Sequence, residues 1–234
     1  MEEVAPVLAA WKERGYKVAL WRDGSQTSYY ASWDRGRYYD WLTCEELYPG
    51  YAQAINALAY SVLNSDLSCD WIVTGGDDTL PDPNHTAEEI ADNCSAYFAN
   101  FDNDPMSTFG VMQPTGDRFA GGCIDRIAGS PWLGREWCLR ANGGRGPFWP
   151  EFTHMFGDEC LKRTAEKLGV YWARPDLIHF HNHFQRESEE INSRATMKPV
   201  PEHLRKWNTR AHWDEMQAIF RRLEAEDFAP CMPL

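Results

Sequence analysis

The chain has 234 residues, 43% of them hydrophobic and 14% aromatic with 11 tryptophans, which supplies a sizeable core and excludes a disordered chain. A net charge of −12 disfavours passive electrostatic binding to nucleic acid or an anionic membrane, while leaving room for a local basic groove. No run reaches transmembrane length, Met1-Glu2-Glu3 is unlike a signal peptide, and the seven scattered cysteines form no C-x-x-C pair, so reduced thiols and a cytoplasmic location are expected.

Val4, Val7, Leu8 and Trp11 fall at i, i+3, i+4 and i+7, predicting a helix that Gly15 ends. Tyr16–Trp21 reads as a buried strand, with Asp23-Gly24-Ser25 at its carboxyl end. A polar, tyrosine-rich loop spans 26–48, either a binding face or lid, or simply a loop held down by its aromatics. From Pro49 a second helix carries Tyr51, Ile55, Leu58 and Val62 on one face.

Trp71–Thr74 has strand character and runs into Gly75, Gly76, Asp77 and Asp78, then a proline-rich turn. An apolar β run of this kind is expected to be buried on both faces, as in a parallel sheet, with the glycines turning the backbone sharply. Adjacent carboxylates at a strand end suit Mg²⁺ or Mn²⁺, although Asp, Gly and Pro are also the ordinary residues of an acidic surface turn. Thr86-x-x-Glu89 is a capping box for a helix facing inward with Ile90, Cys94, Tyr97 and Phe101. Phe109–Met112 reads as a further strand, ending in Q-P-T-G-D-R. The alternation of helix and strand to this point argues a mostly parallel sheet with helices on its faces.

The second half changes character. Residues 121–146 are rich in glycine, arginine and tryptophan, and Arg135, Arg140 and Arg145 either pair with the excess acid or grip phosphate. Gly157-Asp158-Glu159 leads a helix with Leu161, Ala165 and Leu168 inward, stopped by Gly169. Acids in a first turn satisfy the helix dipole, or one of them serves as a general base beside an acceptor hydroxyl. Val170–Ala173 and Leu177–His183 read as short strands; in the second, His179, His181 and His183 share a face, either as metal ligands or as the half-exposed side of an edge strand. Residues 185–206 are polar, and a last amphipathic helix carries Trp213, Met216, Phe220 and Leu223. No internal repeat or clean linker interrupts the chain.

The order of these parts resembles the GT-A glycosyltransferases, especially the family-two-like enzymes. It comprises a strand ending in D-G-S, a helix with Asn56, a strand ending in paired acids before L-P-D-P, a D-E helix and a histidine strand. Asp158 stands eleven residues before Gly169, and His181 six after Pro175, as in that family. More narrowly, G-D-D-T-L-P-D-P-N, M-Q-P-T-G-D-R, I-A-G-S-P-W-L-G-R-E and H-M-F-G-D-E are similar to glycosyltransferase-like proteins of tailed bacteriophages. The resemblance implies an α/β GT-A-like (Rossmann-like) fold with a mostly parallel central sheet in one domain, 1–234. Within it, 1–118 would bind the nucleotide sugar, 119–184 would face the acceptor, and 185–234 would wrap the surface.

It implies that Asp23, Gly24, Asn56 and Asp77 contact the nucleotide, and that Asp77, Asp78 and His181 hold Mn²⁺ or Mg²⁺ on its diphosphate. Asp158 or Glu159 would be the base. The implied donor is a nucleotide diphosphate sugar, UDP-linked first. The implied acceptor is a hydroxyl, on a hydroxymethylated pyrimidine of phage DNA or otherwise on protein or glycan, with the 131–149 stretch as its wall and inversion at the anomeric carbon. No membrane partner is expected. Gly75 stands where the family's first metal aspartate would be, and Gly157-Asp158 replaces its acceptor-side pair. The family's opening strand has no counterpart before the first helix, so the expectation is a truncated start or a nucleoside pocket built from other residues. A nucleotidyltransferase, or a non-catalytic binding module on the same fold, is the alternative.

Overall fold

A computed structural model describes residues 4–23, 36–45, 48–66, 69–99, 107–118, 124–182, 200 and 204–233. The first helix, α1 (Val4–Glu13), buries Leu8 and Trp11 as its spacing requires, and Gly15 takes the left-handed φ of 87° that closes it. Strand β1 (Ala19–Asp23) begins three residues later than the sequence indicates and pairs in parallel with β2 (Trp41–Glu45), inside the segment read as loop. Asp40 anchors that pairing: its carboxylate accepts from the Lys12 ammonium at 2.6 Å and from the Val18 N–H at 2.8 Å.

Helix α2 (Tyr51–Leu63) follows, but its most buried residues are Ala52, Ala54, Ala59 and Leu63 rather than the large side chains of the expected face. Small residues let this helix approach the body of the protein closely. Gly50 precedes it at φ 109°, where a Cβ would stand 2.3 Å from the Thr153 carbonyl oxygen.

The main sheet has four strands in the order β3 (Trp71–Val73), β6 (Trp132–Gly134), β5 (Val111–Pro114), β7 (Tyr171–Arg174). Strand β6 runs antiparallel to both its neighbours, while β5 and β7 are parallel. Strands β3, β5 and β7 thus share a direction with one reversed strand among them, and the sheet is mixed rather than mostly parallel. Strand β3 is an edge strand among the described residues, so Ile72 and Val73 are only half-buried, contrary to the expectation of burial on both faces. The reversed strand explains why alternation misleads here: W-L-G is short, follows a proline and is fully buried. It fits only because Gly134 lacks a side chain, since a Cβ there would meet the Thr108 carbonyl oxygen at 1.5 Å.

Helix α3 (Ala87–Phe98) opens with the predicted capping box and buries Ile90, Cys94 and Phe98 completely. Tyr97 points outward instead, and Phe101 lies outside the described residues. Helix α4 (Arg135–Gly144) is regular only through Arg140, beyond which Asn142 and Gly143 turn left-handed. Phe148 and Trp149, which follow, are core with Trp132, Trp137 and the later Phe152, so these four rings of the 131–149 stretch face inward and offer an acceptor no wall.

Helix α5 (Gly157–Lys167) buries Cys160, Leu161 and Ala165 and ends at Gly169 as expected. Strands β4 (Thr79–Leu80) and β8 (Phe180–His181) form a separate antiparallel pair. Helix α6 (Arg210–Ala225) packs through Met216, Phe220 and Leu223, and a 3₁₀ turn at Ala229–Cys231 brings Cys231 Sγ to 3.8 Å from Cys160 Sγ. No helix among the described residues is long and apolar enough to cross a membrane.

Candidate functional site

The acidic turn sits just beyond the carboxyl end of β3. The Gly76 carbonyl accepts from the Thr79 N–H at 3.2 Å and the Thr79 hydroxyl accepts from the Gly76 N–H at 3.3 Å, which leaves Asp77 exposed and Asp78 half-buried. Neither glycine adopts a positive φ. Gly76 serves instead to make room: a Cβ there would stand 2.6 Å from Asp78 Oδ1.

Opposite this turn lies β8, in register Thr79 to His181. Its imidazole Nε2 is 3.2 Å from Asp78 Oδ2, and the next residue's N–H, Asn182, donates to the Asp78 carbonyl at 2.8 Å. Asp117, from Q-P-T-G-D-R after β5, accepts the His181 N–H at 2.9 Å. Trp11 closes the other side, donating its indole N–H to the Thr79 carbonyl at 2.7 Å. Four distant stretches of chain therefore meet at Asp78.

Asp82 anchors this assembly. Its side chain is wholly enclosed, with Oδ1 accepting from the Asn84 and His85 N–H groups and facing His85 Nδ1, and Oδ2 accepting from the Ile178 N–H at 2.8 Å. Burial alone would raise its pKa; the hydrogen bonds from Ile178, His85 and Asn84 outweigh that and hold the carboxyl below its usual range. Beside it, His179 is core. Nδ1 faces the Ser130 carbonyl at 3.1 Å, so it carries the proton and Nε2 accepts the Trp132 indole N–H at 3.5 Å. Burial pushes its pKa down to about 4, making it a neutral packing residue. His181 is half-exposed at Asp78, and His183 lies outside the described residues.

On the other flank stands Tyr51, the first residue of α2. Its phenol oxygen and Thr74 Oγ1 are both enclosed. Burial raises the phenol pKa to about 12, with the Asp158 and Asp78 charges adding to the rise and the Thr74 hydroxyl opposing it. Both carboxylates thus act on one ring. Tyr48 is also shifted upward, first by burial and then by Tyr51 and Asp77.

Asp158 is the second residue of α5, and its Oδ1 accepts the Glu159 N–H at 2.9 Å. Burial raises its pKa above the usual carboxylate range, and Glu159 adds to the rise. The residue leading into the helix, Phe156, has φ 64°, a left-handed conformation unfavourable for an aromatic side chain. It is held there by Trp213 and Phe220, at ring distances of 4.8 and 5.6 Å.

Asp23 closes β1, but its side chain and all of Gly24 lie outside the described residues. Asn56 uses its amide to clamp Phe148, accepting from its N–H at 2.9 Å and donating to its carbonyl at 2.8 Å. Arg135 donates to the Leu63 carbonyl, Arg140 lies over the Phe109 ring and Arg145 over the Trp149 ring. Among the described residues, no group of three or more His, Cys, Asp and Glu side chains is arranged to hold a metal ion.

Sequence reasoning missed Asp82, Asp117 and Tyr51 as builders of this site. The P-D-P in L-P-D-P-N and the D of T-G-D-R carried a turn signal, but nothing local marked their distant partners. What fold and site define is a mixed α/β protein with an Asp–His pair beyond an edge strand and a half-buried carboxyl of raised pKa at a nearby helix start. Comparison of the chain with family models, with curated proteins and with solved structures finds no match.

Proposed function

We propose that the chain transfers a sugar from a nucleotide diphosphate sugar to an acceptor hydroxyl on a GT-A-like fold. The observation that carries this reading is the meeting of Asp78 and His181 at 3.2 Å, two residues 103 positions apart that the family resemblance assigns to one metal. An aspartate oxygen beside an imidazole nitrogen suits Mn²⁺, and ions of this class complete their coordination with substrate phosphates and water. Asp78 and His181 would hold the ion, with Asp77 next along the turn. When bound, the ion supplies neutralising charge for the leaving diphosphate.

The other half of the chemistry belongs to Asp158. A carboxyl whose pKa is raised by burial is a better proton acceptor than an exposed one, and it takes the proton of the acceptor hydroxyl at its carboxylate oxygen. Glu159, next in the first turn, is the second candidate for that role. A direct displacement of this kind inverts the anomeric carbon. A UDP-sugar is the first donor to test, and the narrower phage-like resemblance makes a hydroxymethylated pyrimidine in DNA the first acceptor, with protein and glycan hydroxyls next.

The test is a thermal-shift panel of nucleotide sugars with and without Mn²⁺, on wild type, Asp78→Asn and His181→Ala. At a hundredfold excess over Kd, binding stabilises by about 2.7 kcal/mol, or roughly 5–10 °C in a chain of this size. The expected result is a metal-dependent shift with one donor that both variants lose. No shift with any nucleotide sugar, or one indifferent to Asp78, overturns the proposal. A shift given only by a nucleoside triphosphate would redirect it to nucleotidyl transfer.

A further inference from the structure

A second concave feature lies away from the acidic turn, along the outer edge of β7. No described strand pairs with that edge, and a groove of about 410 Å³ runs beside it. Tyr171 and Trp172 are consecutive in the strand and so project to opposite faces of the sheet. Both line the groove, which therefore wraps the edge, meeting Lys162 and Glu166 of α5 on one side and Tyr97 of α3 on the other, with Asp125 beside them. The volume falls within the range of small-ligand sites.

Three features define what it would take. First, Tyr97 and Trp172 stack face to face, ring centroids 4.0 Å apart with 1° between planes, and Tyr97 remains 48% exposed. A flat ring held rigidly by a second ring is a ready platform for another flat or axially apolar face. Second, Tyr171 lines the groove while its phenol oxygen is enclosed, so the residue offers the groove apolar ring surface rather than its hydroxyl. Third, the charges are already matched in pairs. Lys162 contacts Glu166 and lies 4.7 Å over the Tyr171 ring, Asp125 is bridged twice to Arg118 at 2.8 and 2.9 Å, and Arg174, above Trp172, is bridged to Asp176.

A phosphate-bearing ligand would meet two carboxylates and find those cations committed. A purely apolar ligand would leave the polar wall unsatisfied. A ligand with an apolar ring face and hydroxyls around its rim matches both.

We propose that this groove binds an uncharged saccharide, its ring lying on Tyr97 and its hydroxyls meeting Asp125 and Glu166. The site is separate from the one assigned to transfer and does not depend on that assignment. It is nonetheless joined to it through α5, since Lys162 stands one turn, about 6 Å of helix rise, beyond Asp158.

The test titrates the full chain with the neutral disaccharides cellobiose, maltose and lactose at millimolar concentration, reading tryptophan fluorescence and amide NMR shifts at Tyr171–Arg174. At least one is expected to bind. Tyr97→Ala should weaken it about tenfold while Tyr97→Phe stays within about twofold, and Asp78→Asn should leave it unchanged. Thermal midpoints confirm that each variant is folded. Absence of binding by all three sugars, binding that survives Tyr97→Ala in full, or displacement of the sugar by UMP would overturn the proposal.

Discussion

Replacing Asp82 tests whether the acidic turn and the histidine strap are held together from beneath. In Asp82→Asn, the remaining carbonyl oxygen can keep the contacts made by Oδ1 to Asn84 and His85, but the new amide places a donor against the Ile178 N–H that Oδ2 accepts at 2.8 Å. One buried donor left unpaired costs roughly 1–3 kcal/mol. At roughly 2–4 °C per kcal/mol for a chain of this length, the melting temperature should fall by about 2–12 °C. Asp82→Ala strands the Ile178 donor and both turn donors and should cost more, about 3–5 kcal/mol.

The effect has a definite pH dependence. The folded carboxyl lies below its usual range, so its stabilisation is fully present above the unfolded value, about pH 4, and is lost as pH falls through the lower folded one. Urea unfolding of wild type and Asp82→Asn at pH 7 and at steps below pH 4 should therefore show two converging curves. A constant gap across that range, or no gap at pH 7, would refute the account of Asp82 as a charged anchor.

The remaining predictions concern other parts of the same neighbourhood. Asp158→Asn should abolish sugar transfer while leaving donor affinity intact, measured as kcat against donor Kd; equal loss of both would sink the base assignment. Because burial raises the Asp158 pKa, ionising it costs stability as pH rises from the unfolded value, about pH 4, through the folded one, and the cost is level above that, so the Asn variant should gain on wild type across that window and melt no lower than it at pH 7. His179 should remain neutral with Nδ1 protonated, by ¹⁵N NMR, until pH approaches about 4. Its lowered pKa stabilises the fold fully above about pH 6.5 and progressively less down to the folded value. Gly134→Ala forces a methyl into the Thr108 carbonyl and should cost at least ~3 kcal/mol, read as a lower urea midpoint or loss of soluble protein.

What could be read from the chain divides along the range of the interactions involved. Helix α1, the Thr86 capping box and the Gly169 stop were legible because periodicity, caps and glycine termini are local chemistry, and each stands where its residues place it. Strand β2 was not, since W-L-T-C-E mixes apolar and polar residues in a short run flanked by tyrosines. Strand β6 was hidden for another reason: Trp132 and Leu133 look like part of an aromatic surface until Gly134 is seen to admit Thr108 against it. The mixed sheet follows from that single close approach, and no alternation of helices and strands reports it.

The candidate site is a sharper case of the same division. The acids at 77, 78 and 158 and the histidine at 181 are conspicuous residue types, but type alone gave His179 and His181 equal standing. Burial separates them. His179 turns inward, where Ser130 and Trp132 occupy both ring nitrogens, while His181 reaches Asp78. The difference is enforced by residues with no chemistry of their own to advertise: Asp82 fixes Ile178 just before the pair, and Asp117 fixes His181 itself. Those bonds span 96 and 64 residues, so a stretch with only two residues in strand pairing is placed by side chains rather than by a ladder. A strap held in this way has few backbone bonds to break when it moves. Substitutions at Asp82 and Asp117 should consequently disturb Asp78–His181 geometry before they disturb the four-stranded sheet, as amide exchange at Phe180 and His181 rising ahead of exchange at Val111 and Met112 would register.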